Sequence, residues 1–203
     1  HDSAKMESLK IEGTGTTEEP WNISATSSDN VTAVLSDDGT LTISGTGNMK
    51  NFESSGENVA PWDKTKVKNV IIEQGVKNIG DGAFSRCEGL TSIKIPDGVT
   101  SIGRCACYGC KGLTSIEIPN SVTSIEMQTF CGCTALTKIE IPNSVKSIEY
   151  QAFYGCKGLT SIEIPNSVTS IEEDAFYGCK GLTSIKIPNS VTSIGGSLGN
   201  VQD

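Results

Sequence analysis

GLTSIEIPNSVTSIEEDAFYGCK, residues 158–180, is the stretch whose reading decides the fold, because its frame returns every 23 residues along the chain. Leu90, Leu113, Leu136, Leu159 and Leu182 keep that step, and so do Pro96, Pro119, Pro142, Pro165 and Pro188. Val99, Val122, Val145, Val168 and Val191 follow it, as do Ile102, Ile125, Ile148, Ile171 and Ile194. A cysteine column, Cys87, Cys110, Cys133, Cys156 and Cys179, completes the frame. One step earlier, Val67, Val70, Ile72, Val76 and Ile79 fill the same places, with Glu73 where proline belongs. The frame gives five full turns, 67–89, 90–112, 113–135, 136–158 and 159–181, and a partial sixth from Leu182 to about Ile194. A period of this length signals stacked units, each unable to bury its own apolar face alone.

One turn can be read physically. In Leu113-Thr-Ser-Ile116-Glu-Ile118-Pro119 the alternation points Ile116 and Ile118 inward and Ser115 and Glu117 outward, as in a short strand. Pro119 has no N–H for a ladder and ends the strand. Asn120-Ser121 turns the chain, and Val122 and Ile125 return to the core. Ala152-Phe153 with Cys156, and Ala175-Phe176 with Cys179, close the layer, and Gly158 and Gly181 lead into the next strand.

Residues 158–180 resemble the BspA-like (Treponema-type) leucine-rich repeat, and the resemblance covers about residues 67–194. Asp38-Gly-Thr-Leu41-Thr-Ile43-Ser-Gly-Thr-Gly47 and Ala60-Pro61-Trp62 are similar to the segment that precedes such repeats. The resemblance implies a right-handed leucine-rich-repeat horseshoe, an α/β-type repeat solenoid with little helix and one short parallel strand per turn on its concave side. It also implies a secreted or surface-displayed protein of bacteria or some parasitic protists, used in adhesion and protein binding, at an extracellular or cell-surface location.

Bulk composition fits thin layers. Hydrophobic residues make up 36% and aromatics 5%, so the core relies on Ile, Leu, Val and small side chains. A net charge of −8 argues against nucleic acid, whose phosphates require a basic face, and against anionic lipid. No stretch approaches the roughly 20 apolar residues of a membrane helix. The charge suits a partner that is neutral or basic, or serves solubility alone.

The ends depart from the repeat. Residues 1–30 are polar and are expected to be loosely attached. Residues 31–66 are expected to form an irregular N-terminal cap with a β-hairpin around Asp37-Asp38-Gly39. In it Leu41, Ile43, Met49, Phe52 and Trp62 close the first turn. The solenoid spans 67–194 and a tail spans 195–203, where Gly195-Gly-Ser-Leu-Gly199 replaces the Ala-Phe half-turn. Three readings of that tail stay open: Leu198 folds over the last layer, the natural protein continues, or two ends stack in a dimer.

Few residues suggest chemistry. Rungs about 5 Å apart would allow bridges along the cysteine column, yet the position behaves as a small buried hydrophobe, so reduced thiols are expected. Cys107 takes the place of Phe84, Phe130, Phe153 and Phe176 and faces inward. Cys105 and Cys131 are expected to face out, as a bridge or as free thiols. Tetrahedral zinc needs four converging thiolates, whereas the frame splits Cys105, Cys107, Cys110, Cys131 and Cys133 between core and surface. No metal or cofactor is expected. Glu117, Glu140 and Glu163 stand at the spacing of a retaining glycosidase pair, but an open sheet supplies neither a cleft nor an acid of raised pKa. Glu126, Glu149 and Glu172 form a second outward column. His1 is the only histidine, so triads and dyads that need one are excluded, and no phosphate-binding glycine loop occurs.

The sequence therefore points to a binding module, not an enzyme, with a protein partner such as a host matrix or cell-surface protein. Its contacts would come from outward strand positions: Asn69, Ile71, Ser92, Lys94, Ser115, Glu117, Lys138, Glu140, Ser161, Glu163, Ser184 and Lys186. The charged members, Lys94, Glu117, Lys138, Glu140, Glu163 and Lys186, are the candidate partner-binding residues, together with the tyrosine column Tyr108, Tyr154 and Tyr177. The alternative is a structural display spacer of a larger surface protein, with no ligand of its own. The oligomeric state is left open.

Overall fold

The computed structural model describes residues 11–196 and residue 198. Among these residues the chain forms thirteen short strands and no helix. It begins with an antiparallel set, β1 (Trp21–Asn22), β2 (Asn30–Leu35) and β3 (Thr40–Thr46). Gly45 lies at φ +109, and a Cβ there would sit 1.8 Å from the Asn30 carbonyl oxygen, so only glycine allows β2 and β3 to approach. β3 then pairs in parallel with β4 (Asn69–Ile72), Leu41 opposite Val70 and Ile43 opposite Ile72. The hairpin thus supplies a rung of the same sheet that the repeats continue.

Each turn has three sides. The first carries β4, β6 (Ser92–Lys94), β8 (Ser115–Glu117) and β10 (Lys138–Glu140). β8 and β10 run parallel in register, Ile116 against Ile139 and Glu117 against Glu140. In the fifth turn Ser161 and Glu163 keep the outward positions without forming a strand. The second side carries β5 (Asn78–Ile79) and β7 (Ser101–Ile102), then β9 (Ser124–Ile125), β11 (Ser147–Ile148), β12 (Ser170–Ile171) and β13 (Ser193–Ile194). The sequence reading expected one strand per turn; most turns have two.

The third side explains the missing helix. Backbone N–H groups of Phe84, Cys107, Phe130 and Phe153 donate to carbonyls of Ala106, Thr129, Ala152 and Ala175 in the following turn, at 2.8–2.9 Å. Those bonds run between turns and not along one helix. Cys105, Gln128, Gln151 and Asp174 take φ of +56, +56, +52 and +57. Four residues later Gly109, Gly132, Gly155 and Gly178 are left-handed again, at +69 to +75. A right-handed helix cannot pass through two such residues, so the expected α/β character gives way to an all-β repeat.

One core runs the length of the described chain, from Ile23 to Leu198. Phe130, Phe153 and Phe176 stack at centroid spacings of 5.5 and 5.4 Å. Trp62 extends the ring column beyond Phe84, stacking on it at 6.1 Å, and its indole N–H donates to the Ala83 carbonyl. Phe52 and Trp21 meet Trp62 edge-on.

The N-terminal end differs from the expectation. Residues 1–10 lie outside the described residues, but 11–30 pack instead of hanging loose: Trp21 pairs with Ala33, and Ile23 is fully buried. Isolated apolar side chains in a polar stretch gave no periodic signal, yet they cover the hairpin. At the other end Leu198 is buried. Ile194 is 45% exposed, whereas its counterparts from Ile102 to Ile171 are buried, because it has a rung on one side only.

Candidate functional site

The outward positions of the first side form the floor of a long trough. Toward its C-terminal end the lining includes Lys138, Glu140, Ser161, Glu163 and Lys186. Toward its N-terminal end it includes Thr40, Asn69, Ile71, Ser92, Lys94 and Glu117. All six charged residues singled out from the sequence, Lys94, Glu117, Lys138, Glu140, Glu163 and Lys186, are exposed along this one surface. Strand alternation puts them there: Ile93, Ile116 and Ile139 between them are buried, and the flanking side chains must point the other way.

The charges form a pattern. Lys94 and Lys186 stand at the two ends, Glu117, Glu140 and Glu163 between them, and Lys138 lies beside Glu140 on the same strand. These six residues balance, three lysines against three glutamates, while Glu73 and Asp97 add negative charge toward the N-terminal end of the trough. Among the described residues none of these six side chains is held in an ion pair; the pair that does form, Lys111 to Glu88 at 3.3 Å, lies outside the trough. The strip can meet a partner without first breaking an internal salt bridge.

One wall went unread in the sequence. Asn120, Asn143, Asn166 and Asn189 are exposed and line the trough behind the proline row Pro142, Pro165 and Pro188. Each proline ends the strand-face segment of its turn, and the asparagine that follows it stands at the rim. Repeating amides at roughly 4.8 Å rung spacing offer donors and acceptors in register. The asparagines keep the 23-residue step, but their turn-forming role accounted for them and hid the second possibility.

Tyrosine is not part of this surface. Tyr108, Tyr154 and Tyr177 are absent from the trough lining and stand on the third side. Tyr154 and Tyr177 stack on each other at 5.2 Å, while Arg86 sits over the Tyr108 ring at 5.6 Å. Tyr108 and Tyr154 are half-buried and only Tyr177, at 42% exposure, offers much free ring. The column spends its faces on itself.

The cysteines are thiols, all eight of them. Cys110, Cys133, Cys156 and Cys179 each donate Sγ–H to a carbonyl of the preceding turn, those of Phe84, Cys107, Phe130 and Phe153, at 3.1 Å. The column is therefore more than a small hydrophobe, because each thiol also answers a buried acceptor. Burial pushes the Cys87 thiol up to about 12. Cys131 was expected to face out and is instead 6% exposed. It occupies a tyrosine position between Tyr108 and Tyr154 in the repeat frame, and its side chain is far shorter than theirs. Burial, with the nearby Cys105, raises its thiol to about 11 against a hydrogen bond from Tyr108. Cys105 is half-exposed and donates to Gln128 at 3.5 Å. The two sulfurs do not form a bridge.

A sequence profile described as "BspA type Leucine rich repeat region" matches residues 61–157 and 100–198 in six copies. The fold is similar to the crystal structure of a T. pallidum leucine-rich-repeat protein, at 28% identity and a TM-score of 0.63, covering 80% of this chain and 82% of that one. A leucine-rich-repeat protein from Bacteroides ovatus is similar at 29% identity and a TM-score of 0.54; the match covers 82% of this chain but only 48% of that one. No curated protein sequence matches the chain closely enough to count as a relative.

Proposed function

Because the chain belongs to the BspA-type leucine-rich-repeat family, we propose that it is a secreted or surface-displayed module that binds another protein in the trough on its strand face. The observation that carries this reading is the uncommitted charge strip. Six exposed charged side chains line one concavity and are unpaired with each other, beside a rim of exposed asparagines. Such a surface favours a protein over a small ligand: it is long and open, and its polar groups repeat along an axis instead of converging on a point. Charge complementarity then sets the register. A fitting partner places basic side chains against Glu117, Glu140 and Glu163 and acidic ones against Lys94 or Lys186. The reading is non-catalytic, and the family resemblance supports adhesion as the setting.

The test compares wild type with a Glu117→Gln, Glu140→Gln, Glu163→Gln variant against a panel of purified extracellular-matrix and cell-surface proteins. The reading expects saturable binding by wild type, weakened at least tenfold in the variant and by high salt. Binding unchanged by the triple substitution would remove the charged strip from the account. The absence of a partner from any panel would favour the display spacer, which the near-identical Ser115, Ser161 and Ser184 positions also suit.

A further inference from the structure

The second turn is the one full turn without a phenyl ring in its core. Phe84, Phe130, Phe153 and Phe176 fill that position in the other turns, and Cys107 stands in their place. In every turn the residue three places on is the column cysteine, so only here do two cysteines of the hydrophobic core share one layer, as Cys107-Tyr108-Gly109-Cys110. Both side chains are completely buried and therefore project to the same, inner side of the backbone.

The backbone between them is a closed turn. The Cys110 N–H donates to the Cys107 carbonyl at 3.1 Å, and Gly109 lies at φ +69, as the third residue of a type II turn requires. Such a turn brings its end Cα atoms within about 7 Å, against the roughly 4.4–6.8 Å that a disulfide spans. We propose that Cys107 and Cys110 are a buried dithiol that closes to a disulfide in the presence of a disulfide oxidant, stapling the turn that lacks a ring. The reaction is thiol–disulfide exchange. Each cysteine gives up its S–H proton, the Cys107–Cys110 S–S bond forms, and the oxidant's S–S bond takes the two electrons and two protons to leave as two thiols.

The competing pairs fit less well. Neighbouring rungs of an in-register stack carry parallel Cβ vectors, so column cysteines keep their Cβ atoms at about the 4.8 Å rung spacing. A disulfide prefers about 3.8 Å. Cys105 and Cys131 stand at different places in the repeat frame, one half-exposed and one buried. The hydrogen bond with Cys107 and burial hold the Cys110 thiol well above its usual range, so exchange in the folded chain is slow. Closure belongs to folding, or to transient opening of the turn.

The test refolds the full chain in a glutathione buffer at an oxidising poise, unfolds it, alkylates the free thiols and maps the peptides of the monomer by mass. Six of the eight cysteines should label, with Cys107 and Cys110 unlabelled and their peptide lighter by two hydrogens. Cys107→Phe, which restores the ring of the other turns, should fold and label at all seven remaining cysteines. Cys105→Ser and Cys131→Ser should leave the missing pair unchanged. Full labelling of wild type, a glutathione adduct in place of the internal bridge, a bridge mapped to Cys105–Cys131 or Cys110–Cys133, or a pair still lost in Cys107→Phe would each overturn the proposal.

Discussion

Removing the ring of Phe153 should break the solenoid into two parts that unfold separately. Phe153 is fully buried and touches a ring on each side, Phe130 at 5.5 Å and Phe176 at 5.4 Å. Truncation of a buried phenylalanine to alanine costs about 3–5 kcal/mol in transfer and cavity terms. The two stacked contacts are part of that loss. With a urea slope of about 2 kcal/mol per molar, Phe153→Ala should lower the midpoint of the affected turns by about 2 M. In a stack where each layer touches only its neighbours, the penalty stays with the layers that lost the contact. The chain carries a built-in reporter of the other part, because its two tryptophans, Trp21 and Trp62, both sit at the N-terminal end and meet each other at 6.1 Å. Urea titrations followed by tryptophan fluorescence and by far-ultraviolet circular dichroism should coincide for wild type. For Phe153→Ala the dichroism should fall first, with the fluorescence transition lagging. Transitions that stay superimposed after the substitution, or a shift of less than about 0.5 M, would refute the reasoning.

Further outcomes follow from single residues. Cys87, raised by burial to about 12 against an ordinary 9.0, contributes stability that is fully present below pH 9 and declines as pH rises toward 12. The thermal midpoint should therefore fall above pH 9, less steeply in Cys87→Ala. On the acid side, the Ser36 hydroxyl and the Thr40 N–H hold the Asp38 carboxyl below its ordinary 3.8. That contribution is present above pH 3.8 and is lost as pH falls below it, so Asp38→Asn should flatten the melting curve's dependence on acid. Native-state alkylation at pH 8 should reach Cys105 first and Cys131 much more slowly, as peptide mapping would show, because burial holds Cys131 near 11. Trp62→Phe keeps the ring but strands the Ala83 carbonyl, and should cost about 1–3 kcal/mol by chemical denaturation.

Much of this was legible in the 23-residue frame. Ile116 and Ile139 inward with Glu117 and Glu140 outward is an alternation that any half-buried strand imposes, and the charged floor of the trough follows from it directly. The second strand of each turn was not legible, since a pair such as Ser124–Ile125 is too short to display a period. The third side was hidden for another reason. Gln128, Gln151 and Asp174 adopt left-handed backbone although none is glycine, and only Gly82 at the equivalent place hinted at it. Cys131 misled because exposure was inferred from its column, where larger tyrosines reach past it. Asn120 and its successors were explained by the turn they form, and their position on the rim depends on how neighbouring turns stack, which no single repeat encodes.

The central claim is that the strand-face trough is where a partner sits. Its most direct measurement places a photo-cross-linking side chain at one position at a time in the intact chain, in the presence of extracellular proteins. Ser92 and Ser161 would sample the trough, while Thr123 and Lys157, both exposed and outside the trough lining, would sample other faces. The account predicts one discrete adduct from Ser92 and Ser161, suppressed by excess unlabelled wild-type chain, and none from Thr123 or Lys157. Adducts of equal yield from every face, or from Thr123 and Lys157 alone, would contradict it.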